Sequence, residues 1–253
     1  MTVYRRPDPI PLPRTAPTES GTVAPARADN EDLNHIAARQ IFLAITSGRV
    51  GRHGTLPNEH ELGHDLGVSR TVVREAIKGL ASKSVVETRR RRGTVVLERT
   101  HWNMLDTDII GWLRRGGSSE AISQALWQSV ALTQGPLAGL AALSPHRKSV
   151  AHAAAELGQA SLNVDAIAQK GVAFHMAVAA AASNDFLATL TAKCLEGLLQ
   201  DDHRFLVSML TRRSKAQYAV LADALHNGDA LSAQSLMTRL FEDAMTLQPN
   251  EAE

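Results

Sequence analysis

The chain has 253 residues, 44% of them apolar and 21% charged, with one cysteine, Cys194, and a formal net charge of +1. That apolar share suffices for one large core or two small ones, a lone cysteine excludes an internal disulfide or a thiolate cluster, and no apolar run approaches the roughly 20 residues needed to cross a bilayer. The near-neutral charge hides a division: residues 1–99 hold sixteen Lys/Arg against eleven Asp/Glu, and residues 100–253 hold eleven against fifteen, which suits a basic module that meets a polyanion joined to a more acidic module with another task.

Residues 1–30 carry six of the ten prolines and no helical period, so they read as a disordered tail. They also lack the apolar segment of a signal peptide, and the expected location is cytoplasmic, with no membrane contact. From Glu31 onward Leu33, Ile36, Ala37, Ile41, Ala44 and Ile45 fall near one helical face, and Gly48 stops the run. A short second helix is expected from about Asn58 to Leu66. Gly67, Val68 and Ser69 then make a turn, with Ser69 capping a third helix through about Ser82 whose inner face is Val72, Val73, Ala76, Ile77 and Leu80. Val85–Thr88 and Thr94–Leu97 flank an Arg-rich bend and read as a β-hairpin. Beyond Trp102 the sequence turns Ala- and Leu-rich, with helices expected at about 118–143, 146–160, 164–182, 185–210, 213–227 and 229–247.

The expected fold is therefore mainly α: an N-terminal winged helix-turn-helix with a small β-hairpin at 31–98, a linker at 99–104, and a C-terminal all-helical bundle of six to seven helices at 105–247, with a last tail at 248–253. In a helix-turn-helix the second helix enters the major groove. Arg70, Thr71 and Arg74 lie opposite the apolar face, where an arginine can reach guanine O6 and N7, while Lys78 suits a phosphate. Arg89, Arg90, Arg91 and Arg92 with Gly93 at the hairpin tip suit the minor groove and its flanking phosphates. One stretch points elsewhere. "HELGHDLG", His60 to Gly67, matches the start of a zinc-hydrolase pattern in which His60 and His64 bind metal and Glu61 is the base. The third histidine of the longer pattern is replaced by Arg70, a cation that cannot ligate a metal.

The stretch "LPNEHELGHDLGVSRTVVREAIKGLASKSVVETRRRRGTVV", Leu56 to Val96, closely resembles the winged helix-turn-helix signature of GntR-family bacterial transcription regulators. "HWNMLDTDIIGWL" and the helical remainder resemble the FadR-type subfamily with its C-terminal FCD ligand domain, and the linker is most like the galactonate-responsive repressors. The resemblance covers about residues 31–247. It implies a non-enzymatic, homodimeric repressor that binds a palindromic double-stranded DNA operator and releases it when a small carboxylate or sugar-acid effector binds the helical domain. Its DNA-contact pattern selects Arg70, Thr71 and Arg74, with Ser69 at the helix start and Arg92 and Gly93 on the wing. His60 stands where relatives often have arginine.

Many members hold a divalent metal with one aspartate and three histidines. Here "GVAFHMAVAAAASNDF" keeps His175, but Gly171, Tyr218 and Leu240 stand at the other three expected positions, so no metal cofactor is expected and His175 is the sole remaining ligand candidate. The helix expected to face the effector offers Gln128, Ser129, Thr133 and Gln134 in place of arginine and glutamate. Effector contacts are thus expected from His175, Tyr218, Gln128, Gln134 and Arg204, and the ligand should be less anionic than the family's usual sugar acid. Trp102, Trp112 and Trp127 read as interdomain or dimer packing. The release mechanism would rearrange the winged domains through the Val96–Leu105 linker. Two competing readings remain open: a constitutive DNA binder whose helical domain only dimerises, and a zinc hydrolase built on His60, Glu61 and His64.

Overall fold

The computed structural model describes residues 26–51, 54–160, 163–200, 204–211 and 215–246, with the side chains at 26–32, 118, 204, 215 and 243–246 outside the described set. The chain forms two compact units that divide between Gly117 and Ser118.

The first unit begins with α1 (Ala26–Thr46), followed by α2 (Glu59–Leu66) and α3 (Arg70–Ser82). α1 starts five residues ahead of the expected Glu31, because nothing between Pro25 and Glu31 breaks a helix; the rest of the N-terminal tail and the 248–253 tail lie outside the described residues. α2 is short but doubly fastened. Asn58 accepts from the amides of His60 and Glu61, the Glu61 carboxylate accepts from the Asn58 amide at 3.2 Å, and Gly67 closes the helix at φ 67°, a conformation that suits glycine. Ser69 caps α3 through the Val72 amide. The face of α3 formed by Val73, Ala76, Ile77 and Leu80 packs on α1, where Ala37, Ala38, Ile41 and Phe42 are buried.

The strands β1 (Val86–Arg89) and β2 (Gly93–Val96) pair antiparallel from Val86–Val96 to Arg89–Gly93. Each is one residue out from the expected run, since the turn residues fix the register. A further pairing, Thr55 to Val95, adds a short third rung that was not expected, secured by the Leu56 amide on Thr94 at 2.8 Å. The expected 99–104 linker is tied down. The Leu97 amide donates to Val85 O at 2.9 Å, the Asn103 amide to Lys83 O at 3.0 Å, and Trp102 Nε1 to Leu97 O at 2.9 Å. A helix that the sequence reading did not foresee, α4 (Thr107–Leu113), follows and belongs to this first compact unit, which runs to Gly117.

α4 is capped by Asp106, which accepts from the Asp108 and Ile109 amides, and its Trp112 is 1% exposed beside Phe42, with centroids 5.3 Å apart. The Lys83 ammonium sits 2.9 Å from Asp106 and 2.8 Å from Asp108, and His35 reaches Asp108 at 3.1 Å. Burial raises the Asp108 pKa but hydrogen bonds from Lys83 and His35 outweigh it, leaving it below the ordinary 3.8; burial likewise lowers Lys83 but Asp108 and Asp106 outweigh it, leaving it above 10.5. A depressed carboxylate stabilises the fold above its open-chain pKa and loses that contribution as pH falls through the folded value, whereas a raised lysine contributes below its open-chain pKa and is lost as pH climbs through the folded one. The cluster is therefore expected to hold between about pH 4 and pH 10. Melting curves below about pH 4 should show an acid loss that is smaller in Asp108→Asn, and identical acid limbs would refute the assignment.

The second unit comprises α5 (Ser119–Leu143), α6 (Arg147–Gly158), α7 (Val164–Ala181), α8 (Asp185–Leu199), α9 (Arg204–Thr211), α10 (Lys215–Asn227) and α11 (Ala230–Thr246). α5 is central, packing against α7, α8, α10 and α11. It runs antiparallel to α11, with Gly135 beside Thr238 and Gly139 beside Ala230, and any side chain at Gly135 would overlap Thr238. Pro136 lies on the exposed face of α5, so the Leu132 carbonyl it leaves without a helical donor can be hydrated. The single helix expected at 185–210 is instead two. Gln200 takes an extended backbone, φ −67° and ψ 137°, and ends α8 just before two aspartates that would sit unfavourably at a helix C-terminus.

Candidate nucleic-acid interface and buried polar site

Arg70, Thr71, Arg74 and Lys78 are all exposed on α3, opposite its buried face. The helix spacing of 100° per residue separates them from Val73 and Ile77. Arg74 forms a two-pronged pair with Glu59, at 3.2 and 2.9 Å, and its hydrogen bond holds the Glu59 carboxyl below the usual range. Lys78 pairs with Glu75 at 2.8 Å, and Arg89 with Glu87 at 2.7 Å. Such exposed pairs are solvent-screened and yield to a stronger anion. Among the described residues, Arg70, Arg90, Arg91 and Arg92 make no ion pair. Ser69 is exposed, with its hydroxyl engaged by the Val72 amide at 3.3 Å.

The hairpin tip is a tight turn, with the Arg92 amide donating to Arg89 O at 3.1 Å. Arg91 sits at φ 66° and Gly93 at φ 76°. A left-handed backbone at Arg91 is a position where glycine or asparagine would be less strained. The strain is retained at an exposed, cationic tip, which is where a binding contact would justify it.

His60 and His64 are exposed on α2, with His64 3.4 Å from Asp65, while Glu61 is engaged in the helix cap. Among the described residues no group of three or more His, Cys, Asp or Glu is placed to hold a metal ion. The hydrolase pattern is thus a capped eight-residue helix whose Leu62 and Leu66 serve the core.

Inside the second unit His175 and Gln134 are both fully buried. With Gln134 Oε1 as acceptor, His175 Nδ1 donates at 3.0 Å, and Gln134 Nε2 returns a bond to the His175 carbonyl at 3.4 Å. The imidazole is ringed by Phe174 at 5.0 Å, Phe241 at 5.4 Å and, edge-on, Trp127 at 6.1 Å; Tyr218 packs on Phe174 at 6.2 Å and is also buried. Gln128 does not join them. It lies six residues from Gln134, about 240° around the helix, on the exposed face. Arg204 begins α9, but its side chain is outside the described residues, as is all of His203. Trp127 packs against Phe241 within the helical core, and Trp102 and Trp112 pack against Phe42 within the first unit.

The residues present do not fit a divalent metal. Gly171, where an aspartate would be expected, is covered by Leu210, whose methyl a side chain at 171 would overlap. Leu240 is a buried apolar neighbour, and one imidazole among aromatic rings is an insufficient donor set. Sequence reading missed the cluster of His35, Lys83, Asp106 and Asp108. The signal available was Asp106-Thr107-Asp108, a cap followed by an acid in a first helical turn.

Residues 36–96 match the bacterial regulatory proteins of the gntR family, and residues 131–243 match the FCD domain. Over 85 residues the chain is 40% identical to the uncharacterized HTH-type transcriptional regulator YieP of Escherichia coli strain K12, covering 34% of this chain and 37% of that protein. From the same organism, the galactonate operon transcriptional repressor is 28% identical over 158 residues, 59% of this chain and 69% of the repressor. The Uxu operon transcriptional regulator is 33% identical over 140 residues, 53% of this chain and 52% of the regulator. The chain thus spans little more than a third of the first of these relatives and about half of the third. None of the three is named as an enzyme.

Proposed function

Because the chain belongs to the GntR family of bacterial regulatory proteins and carries an FCD domain behind its winged helix, we propose that it is a cytoplasmic transcription repressor. Two copies hold a palindromic operator and release it when a small carboxylate or sugar-acid-like effector enters the helical unit. The observation that carries the reading is the outward row of Arg70, Thr71 and Arg74 on a capped, well-packed α3. The name of the galactonate operon repressor supports repression and a sugar-acid effector. No catalytic step is assigned to any residue.

A palindrome is read by a two-fold dimer. Leu132, Leu140 and Leu143 are 80%, 50% and 68% exposed and, with Pro136, follow one face of α5 at helical spacing. This apolar stripe suits a second copy of the chain; a monomer by light scattering at micromolar concentration would refute it. His175, Gln134 and Tyr218 offer hydrogen-bonding groups to an effector, and no metal takes part in holding it.

The test is a titration of purified protein against the DNA upstream of its own gene and against random duplex, at moderate salt and in rising salt. Preference for the former with a steep salt dependence is expected. Equal affinity for both sinks the reading. A constitutive binder is a second possibility, favoured by one observation, the closure of Gly171 by Leu210. Thermal melting with sugar acids, short carboxylates, lactones and acyl-CoA compounds separates the two, since only a regulated protein is stabilised by one of them.

A further inference from the structure

Three cations of the exposed face are engaged by carboxylates, and one of the three pairs is built differently. Lys78 with Glu75 lies within α3, and Arg89 with Glu87 within β1. Arg74 and Glu59, 15 positions apart, instead join α3 to the first residue of α2. Glu59 Oε1 accepts from Arg74 Nε at 3.2 Å, and Oε2 accepts from Nη2 at 2.9 Å. Glu59 is the less exposed partner, with 37% of its side chain accessible against 61% for Arg74. Its helix is also held firmly: Asn58 and Gly67 fasten the two ends of α2, and Leu62 and Leu66 are buried between them.

The two bonds use one edge of the guanidinium. Of the five N–H groups of an arginine, Nε–H and one Nη2–H go to Glu59, which leaves the edge formed by Nη1 and the other Nη2–H. That edge is a fork that can meet O6 and N7 of guanine. Arg74 can therefore keep Glu59 and read a base at the same time. The acid also acts on its surroundings. The Arg74 hydrogen bond lowers the Glu59 pKa most, against the opposing effect of burial, and the charges of Arg74 and Arg70 lower it further, so an ionised carboxylate stands beside two arginines of the face. On a duplex that offers no guanine in register, Arg74 gains only by turning to a phosphate, and Glu59 is then left near the backbone without its partner.

We propose that Glu59 is the positioning residue that makes Arg74 a reader of bases rather than of phosphates, and that it raises the preference for operator by disfavouring other DNA. The inference rests on the reading of the chain as a DNA-binding regulator and names a determinant of its specificity. Specificity is a difference between two affinities, and Glu59 acts on both in opposite directions.

Fluorescence anisotropy titrations of the full chain with its own upstream DNA and with random duplex, at several salt concentrations, test this on wild type, Glu59→Gln, Arg74→Ala, their double variant and Glu75→Gln. Glu59→Gln should bind random duplex severalfold more tightly, with a salt slope steeper by about one phosphate contact. It should also lose at least ~5-fold of its preference for upstream DNA. A structural defect would instead weaken both complexes. The melting midpoint should hardly move, as for any exposed ion pair. Arg74→Ala should lose at least as much preference, and adding Glu59→Gln to it should cost no more, because the acid acts through the arginine. Glu75→Gln removes the same charge from α3 and should tighten both complexes alike. A Glu59→Gln protein that keeps its preference, multiplied losses in the double variant, or an equal loss in Glu75→Gln would overturn the proposal. Wild type without any preference would sink the regulator reading as well, whereas those failures, seen with a discriminating wild type, strike the role of Glu59 alone.

Discussion

Arg70→Ala is expected to remove the preference for operator over random DNA, lowering specific affinity by about 1–3 kcal/mol, or roughly 5- to 150-fold, while non-specific binding falls far less. The asymmetry follows from position. Arg70 is the first residue of α3, exposed and, among the described residues, without an ion pair to break, so in the proposed complex its fork would reach a base edge with the helix N-terminus in the groove. Arg90→Ala should behave differently, weakening all duplexes nearly evenly and reducing the salt slope by about one phosphate contact. Competition titrations with operator and random DNA at several salt concentrations read both. If Arg70→Ala lowered both affinities in proportion, its role would be phosphate contact, and the groove assignment of α3 would be lost.

Gly171→Asp is expected to destabilise the helical unit by on the order of 3 kcal/mol or more. A carboxylate there would overlap Leu210, itself 3% exposed, and would be taken out of water. Leu210→Ala alone leaves a cavity and should cost about 2–5 kcal/mol. The double variant should cost less than the two together, because the small residue makes room for the acid. Urea unfolding of the four proteins measures the coupling. Strict additivity, or a Gly171→Asp variant as stable as wild type, would mean that Leu210 does not close this position. In the same experiment wild type should carry no stoichiometric zinc or nickel, and EDTA should leave its unfolding midpoint unchanged. A midpoint lowered by EDTA would show that a metal is held after all.

The local devices of this chain were written in adjacent residues. Ser69 caps α3 because a hydroxyl three residues before a free amide can reach it, and Gly67 ends α2 because only a residue without Cβ takes that turn cheaply. The inner face of α3 follows from spacing alone, and so does the Arg-rich hairpin, to within one residue. The caps act over four residues or fewer and the hairpin closes from Arg89 to Gly93 across its own turn, so the sequence determines them without knowing the rest of the fold.

What the tertiary structure decided involves partners far apart in the chain. Gln128 and Gln134 sit on the same helix, yet only the packing of α7 on α5 selects Gln134 as the partner of His175. Leu210 lies 39 positions beyond Gly171, and nothing nearby in sequence signals that one would fill the space beside the other. Lys83, Asp106, Asp108 and His35 look like ordinary surface charges until α1, α3 and α4 converge. The reason is physical: a cap or turn is fixed by backbone geometry within one element, whereas a buried pair or an ion cluster exists only where separate elements bring complementary groups into contact.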